Sequence, residues 1–267
     1  MDDAKVGTRL AVGRTAEVFQ YGADRVLKLY REGWSETDAS AEYENNLCAR
    51  RLGLPVPDMF EMVVYRGRRG IISEFIDGEP LTTLVVKKPW KIFWAADALA
   101  QLHVSIHGLR TSELPALKTR LEERLSVATE IDPNIRARAL ELLHSTQEDD
   151  VVCHGDFHSD NVLLTREGLT IIDWLDAASG SKVYDFARTL ILLRSGMPEA
   201  TGAPKRLLIR AVQAWFARIY AKAYRRRSEV DPEDFANWTA IAAAVRLTEV
   251  APDQQLKSEG STTGSKT

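Results

Sequence analysis

The chain has 267 residues, 45% hydrophobic and 27% charged, with a net charge of -3. That length allows one large domain or two small lobes with a real core, and the charge gives no basic field of the kind nucleic acid requires. Two distant cysteines, Cys48 and Cys153, exclude a disulfide-built scaffold, while the lack of a leader pattern or an apolar run near the roughly 20 residues of a bilayer span makes a cytoplasmic protein without membrane contact the expectation.

The first part reads as strands: Thr8 to Val12, Glu17 to Tyr21 and Arg25 to Tyr30, separated by Gly13-Arg14-Thr15 and Gly22-Ala23-Asp24. Thr37 to Leu52 reads as a helix, with Glu44, Leu47, Cys48 and Leu52 at spacings of three and four. Gly53 stops it, and Pro55 and Pro57 hold an extended connector. Strands follow at Glu61 to Tyr65 and Ile71 to Ile76, and Asp77-Gly78-Glu79-Pro80 marks a lobe boundary. Residues 1–77 are thus expected to form an N-terminal nucleotide-binding lobe, and 78–257 a C-terminal lobe.

The second lobe reads as mostly helical: Trp90 to His107, Leu117 to Glu130, Pro133 to Ser145, Tyr184 to Arg194, Pro204 to Arg225 and Pro232 to Glu249. Two short strands, Val162 to Thr165 and Thr170 to Asp173, interrupt it. Residues 258–267 are polar and small, which predicts a disordered tail.

The chemistry concentrates in His154-Gly155-Asp156-Phe157-His158-Ser159-Asp160-Asn161 and in Ile171-Ile172-Asp173-Trp174. Phosphoryl transfer needs a carboxylate that aims the acceptor hydroxyl and receives its proton. Asp156 suits that role, and the Asp-x-x-x-x-Asn spacing lets the Asn161 amide oxygen turn back to a metal ion. Asp173, at the end of an apolar strand, would be returned beside Asn161 by the intervening hairpin and could bridge phosphate oxygens through Mg. An ordinary polar loop would use the same residue types, since Asp, Ser and Asn favour turns.

A phosphotransferase also needs a cation and a covering loop upstream. Lys28 lies inside the apolar strand Val26-Leu27-Lys28-Leu29-Tyr30, where it requires a partner or a solvent face. Glu44 is the favoured partner, with Glu42 the alternative. Thr15, in the turn after Gly13, could cover phosphates through its hydroxyl and the neighbouring backbone N–H groups. Backbone groups of Glu74 and Ile76 could meet a nucleotide base at the lobe junction. A rival reading takes His154, Asp156, His158 and Asp160 as a metallohydrolase cluster. His103 and His107 carry Val104 between them where a zinc protease would have Glu, which favours helix packing.

Together and in this order, these elements resemble the aminoglycoside phosphotransferase and choline kinase group of small-molecule kinases. The resemblance rests on Gly13-x-Thr15-Ala16-Glu17-Val18-Phe19, Lys28, Glu42-Tyr43-Glu44, Leu54-Pro55-Val56-Pro57, the catalytic-loop octet, Ile171-Ile172-Asp173-Trp174 and Asp185-Phe186-Ala187-Arg188-Thr189. It implies an α+β, bilobal protein-kinase-like fold: a small antiparallel-sheet lobe followed by a mostly helical one. It also implies Asp156 as base, Asn161 and Asp173 on Mg, Lys28 on phosphate with Glu44 orienting it, and Asp185 as a structural anchor of the catalytic loop. His158 stands where a protein kinase has Lys, and neither a Gly after Asp173-Trp174-Leu175 nor an Ala-Pro-Glu element is present. Those departures point to a small-molecule acceptor.

The expected reaction moves the terminal phosphate of ATP, or alternatively GTP, with Mg, to a hydroxyl. The alternative is a non-catalytic nucleotide-binding regulator. A monomer or weak homodimer is expected. A polycationic acceptor would want carboxylates, and Asp160, Asp176, Glu249 and Asp231-x-Glu233-Asp234 are candidates; Asp231 to Asp234 also read as a helix start, and Glu249 as a partner of Arg246.

Overall fold

In the computed structural model the described residues are 3–32, 36–147, 149–195 and 202–262, with backbone alone at 36, 203 and 250–262. The chain opens with β1 (Val6–Val12), β2 (Ala16–Tyr21) and β3 (Arg25–Tyr30), then α1 (Glu36–Arg51), β4 (Met59–Tyr65) and β5 (Arg68–Glu74). These strands form one antiparallel sheet in the order β1-β2-β3-β5-β4. Lys28 pairs across to Val18 on one side and Ile71 on the other. Side chains alternate along a strand, so Leu27 and Leu29 face one core with Tyr21 and Ile72. Lys28 and Tyr30 point to the opposite side, where Tyr30 packs with Ala16, Ile71 and Ala39 of α1.

α1 buries a different face from the one its apolar spacing suggests. Ala39, Glu42, Asn45, Asn46, Cys48 and Ala49 are inside, and Glu44 is exposed. Small alanines let the helix approach the sheet. Glu42 and Asn45 are inside because their partners are: Glu42 meets Lys28, and the Asn45 amide donates to the carbonyl of Trp174 at 3.0 Å.

After residues 75–78 the chain forms β6 (Glu79–Pro80), α2 (Leu81–Lys87), α3 (Ile92–His107), α4 (Leu117–Val127) and α5 (Pro133–Ser145). Next come β7 (Val151–Cys153), β8 (Val162–Leu164), β9 (Leu169–Ile171), β10 (Ala178–Gly180), α6 (Lys182–Arg194), α7 (Ala203–Arg225) and α8 (Pro232–Thr262). Asp132 caps α5 by accepting from Asn134 N at 2.7 Å with Pro133 in the first turn, and Ser181 caps α6 through Val183 N. Among the described residues no helix is long and apolar enough to cross a membrane.

One core joins α3, α6 and α7 through Leu99, Ile106, Phe186, Tyr220 and Tyr224, and draws in Phe157 and Trp174 from the two motif loops. Both are 0% exposed. Burial of each such side chain is worth roughly 1.5–3 kcal/mol, so the loops between β7 and β10 are clamped to the helical core. A second core packs α4 and α5 against Trp238, Ile241 and Val245 of α8.

β6, β7, β10 and α2 are additional to the elements expected from sequence. The first three are two or three residues long and exist through remote pairing: β7 with β10, and β6 with β8. α8 continues past Glu249 to Thr262, so the backbone of 258–262, expected in the tail, is helical; the tail's last residues, 263–267, lie outside the described residues.

Candidate active site

Lys28 is met by Glu42, not Glu44. Its ammonium lies 2.7 Å from both Glu42 oxygens and 3.1 Å from Asp173 Oδ1, across 145 positions of chain. The Tyr30 hydroxyl also donates to Glu42. Burial alone would lower the Lys28 pKa, but the Asp173 and Glu42 carboxylates more than reverse this and raise it, so the side chain stays charged. Glu44 misses because it lies on the solvent side of α1, about 200° around the axis from Glu42 at the helical 3.6-residue repeat.

Asp173 follows β9 with φ 66°. Asp tolerates this left-handed conformation better than most residues, and it turns the carboxylate back toward Lys28. The 154–161 loop sits alongside. Asn161 donates its side-chain amide to Asp156 O at 2.9 Å and Asp156 Oδ2 at 3.2 Å, while its own backbone carbonyl accepts from Ile172 N at 3.0 Å. The other side-chain atom of Asn161 is an amide oxygen, a hard donor of the kind divalent ions take, as is the Asp173 carboxylate. The residues present therefore fit a Mg site.

His154 joins the two motifs. Its Nε2 donates to Ile172 O at 3.1 Å, and its Nδ1 accepts from Asp156 N at 3.2 Å. One donor and one acceptor fix a neutral ring, and burial lowers its pKa accordingly. Gly155 adopts φ 78°, and a Cβ there would overlap the Asp176 carbonyl. Gly155→Ala is expected to cost more than about 1–2 kcal/mol from the left-handed backbone alone, read as a lower urea midpoint; an unchanged midpoint would contradict this packing.

His158 does not join a metal cluster. Its Nε2 lies 3.5 Å from Asp156 Oδ2, and its Nδ1 lies 3.6 Å from Asp160 Oδ2 and 3.2 Å from the Asp160 amide. Only the carboxylate contact suits a protonated ring, and the two acids decide for it. Against the effect of burial, hydrogen bonding to Asp156 and Asp160 raises the His158 pKa to about 9. Asp156 is held well below the usual carboxylate range: burial would raise it, but the His158 hydrogen bond and charge, then Arg188, prevail. A pKa raised in the fold gives stability that is full below the unfolded value near 6.5 and lost as pH rises through about 9. The stability difference between wild type and His158→Asn should follow that course in urea titrations; a pH-independent difference would remove the ion pair.

Asp185, fully buried, anchors the loop from beneath. Its Oδ2 accepts from His154 N at 2.7 Å, and its Oδ1 from Gly155 N at 3.0 Å. His103 Nε2 and His107 Nε2 reach Oδ2 at 3.1 and 3.3 Å, and their Nδ1 atoms meet the hydroxyls of Tyr220 and Tyr224. Burial lowers the His103 pKa to about 3, so the ring is neutral. Among the described residues His103, His107 and Asp185 are the one group with metal-like spacing, but this carboxylate already receives two backbone and two imidazole donors.

The remaining expected residues lie elsewhere. Thr15 is half-buried in the β1–β2 turn, closed by Gly13 N donating to Ala16 O at 2.8 Å. The Glu74 amide donates to Asp58 O and its carboxylate accepts from Asp58 N, which leaves its backbone carbonyl as the group that could meet a base. Glu74 and Ile76 line a cavity of about 530 Å³ with Pro55, Asp58 and Thr165, apart from Lys28 and Asp156. Asp160 is taken by His158, and Asp231 caps α8 through Glu233 N and Asp234 N. Sequence reasoning passed over Asn45 and left Arg188 unused, although Arg188 follows Asp185 by one helical turn.

Searched by sequence, the chain matches none of the curated proteins. Among solved structures, an aminoglycoside-3'-phosphotransferase of type VIII aligns with TM-score 0.59 and 23% identity, over 89% of this chain and 91% of its own. The amicoumacin kinase hAmiN, in complex with AMP-PNP, Ca2+ and Ami, aligns with TM-score 0.63 and 18% identity, over 96% and 82%. An aminoglycoside phosphotransferase in complex with GDP and kanamycin gives TM-score 0.60 and 18% identity, over 97% and 92%. At these identities the likeness is one of fold, and the fold is kinase-like. The family model described as "Phosphotransferase enzyme family" matches residues 6–230, and the chain belongs to that family.

Proposed function

We propose that the protein is a small-molecule O-phosphotransferase using a nucleoside triphosphate, ATP or GTP, and Mg. The observation that carries this reading is the convergence of Lys28 with Asp173 and of Asp156 with Asn161 around the Ile172 backbone. The nucleotides named with the structural neighbours, AMP-PNP and GDP, support nucleotide use.

In this reading Lys28, fixed by Glu42, binds phosphate oxygens, and the turn at Gly13 and Thr15 covers them. Ile76 lies near the base. Asn161 and Asp173 hold Mg, which when bound neutralises charge on the phosphate oxygens. Asp156 accepts a hydrogen bond from the acceptor hydroxyl and aims its oxygen at the terminal phosphorus. The new P–O bond forms as the bond to the nucleoside diphosphate breaks, and the hydroxyl proton passes to Asp156. With its pKa held low, Asp156 is a weak base. Its contribution is orientation, and the proton moves late, once bonding to phosphorus has made it acidic.

The test is label transfer from γ-labelled ATP and GTP, with Mg, across aminoglycosides, sugars, amino alcohols and hydroxy acids. Mg-dependent transfer to a small molecule is expected. Folded protein that neither transfers label nor hydrolyses nucleotide would overturn the proposal in favour of a binding module, and tightly held stoichiometric zinc would favour a hydrolase.

A further inference from the structure

Asp176 and Glu249, two carboxylates suited by sequence to a polycation, are already neutralised. Glu249 Oε1 accepts from Arg124 at 2.8 Å and Arg188 at 2.7 Å, and its Oε2 from Arg246 at 2.9 Å. Asp176 Oδ1 lies 3.4 Å from both Arg120 and Arg124, and its Oδ2 lies 3.6 Å from Arg188. Four guanidinium groups thus stand against these two carboxylates and the nearby Asp156, leaving one positive charge in excess. Arg188 is 3% exposed, and its NH1 is buried without a hydrogen-bond partner among the described residues. A buried, unsatisfied charged donor is costly. Its position is informative: Arg188 lines a cavity of about 30 Å³ together with Arg120, Arg124, Tyr184, Gly155 and one carboxylate, Asp176, which all three arginines already neutralise. Gly155 directly precedes Asp156, and the Arg188 Nε donates to the Gly155 carbonyl.

We propose that this cavity is an anion subsite, and that the acceptor is a hydroxylated small molecule carrying a compact anionic group, a carboxylate or a phosphate monoester. The inference rests on the phosphotransfer reading only in taking Asp156 as the place of the acceptor hydroxyl. Guanidinium forks match both oxyanions in geometry. The volume admits one or two water-sized groups, which suits a carboxylate and not an aminocyclitol ring. An amine in the same place would face Arg120, Arg124 and Arg188, with their carboxylate partners already engaged.

The experiment is isothermal titration of nucleotide-free protein with four probes of one skeleton: glycerol, 3-amino-1,2-propanediol, glycerate and glycerol 3-phosphate. The two anions are expected to bind at least about tenfold more tightly than the other two, one charge-assisted contact being worth roughly that much. Comparison of the anions identifies which oxyanion is preferred. Arg124→Gln, half-exposed and so tolerant of change, should remove the preference, whereas Lys28→Met should keep it and thereby exclude binding at the phosphate-holding site. The inference is overturned if no probe binds, if the amine or the neutral probe binds as well as the anions, or if Arg124→Gln leaves the preference intact. Mg-nucleotide binding and hydrolysis, measured alongside, report separately on the phosphotransfer reading: an anion preference without nucleotide binding sinks that reading alone, and the reverse sinks this one alone.

Discussion

Asp156→Ala is expected to lower the transfer rate by about 10²–10⁴-fold, the span typical of a removed general base, with nucleotide affinity nearly unchanged. The split follows from the geometry. Lys28, Glu42 and Asp173 form their own ion-paired group and do not touch the Asp156 carboxylate. Asn161 loses one acceptor at 3.2 Å but keeps the Asp156 backbone carbonyl at 2.9 Å, so it stays in place. His158 loses one of its two acids and keeps Asp160. Initial rates with a confirmed acceptor and a fluorescence titration of nucleotide check both halves. Full turnover in the variant would remove Asp156 from the chemistry, and loss of nucleotide binding would mean that the loop had collapsed.

Asp185→Ala should be the most destabilising single change near the site. It orphans four donors at once: His103 Nε2, His107 Nε2, His154 N and Gly155 N. Each buried donor left without its acceptor costs roughly 1–3 kcal/mol, and here four lose it around a residue that is 0% exposed. The expected result is a large fall in the urea midpoint, accompanied by loss of transfer even under conditions where the protein stays folded. Asp185→Asn retains an acceptor oxygen but turns an NH2 toward the same donors, so it should fall between. A loss below about 1 kcal/mol in the Ala variant would show that backbone packing, not the carboxylate, holds the loop.

Much of this was legible in sequence because it is local. The expected strand Arg25 to Tyr30 and helix Pro133 to Ser145 match β3 and α5 to the residue, the first set by a Gly-Ala-Asp turn and the second by the Asp-Pro cap. The 154–161 octet was legible because the proposed phosphoryl transfer calls for Asp and Asn at a fixed spacing. What stayed hidden depends on residues far away. Glu42 and Glu44 differ by two positions, and the apolar period favoured Glu44. The buried face of α1 is polar because Lys28 and the Trp174 carbonyl meet it there. β7 and β10, three residues each, have no pattern of their own and exist by pairing with each other and with the 109–116 segment. Arg246 was the one partner legible for Glu249 and none was for Asp176; Arg120, Arg124 and Arg188 reach them from α4 and α6.

The neutral ring of His154 has a consequence for acid tolerance. Its Nδ1 must accept from the Asp156 amide while its Nε2 donates to Ile172. A second proton would turn that acceptor into a donor and set two N–H groups against each other. Asp156 itself is kept ionised, against the effect of burial, by His158 and Arg188. Protonation of this ring would therefore unhook the frame between the two motif loops through a residue that, in the proposed reaction, holds neither metal nor phosphate.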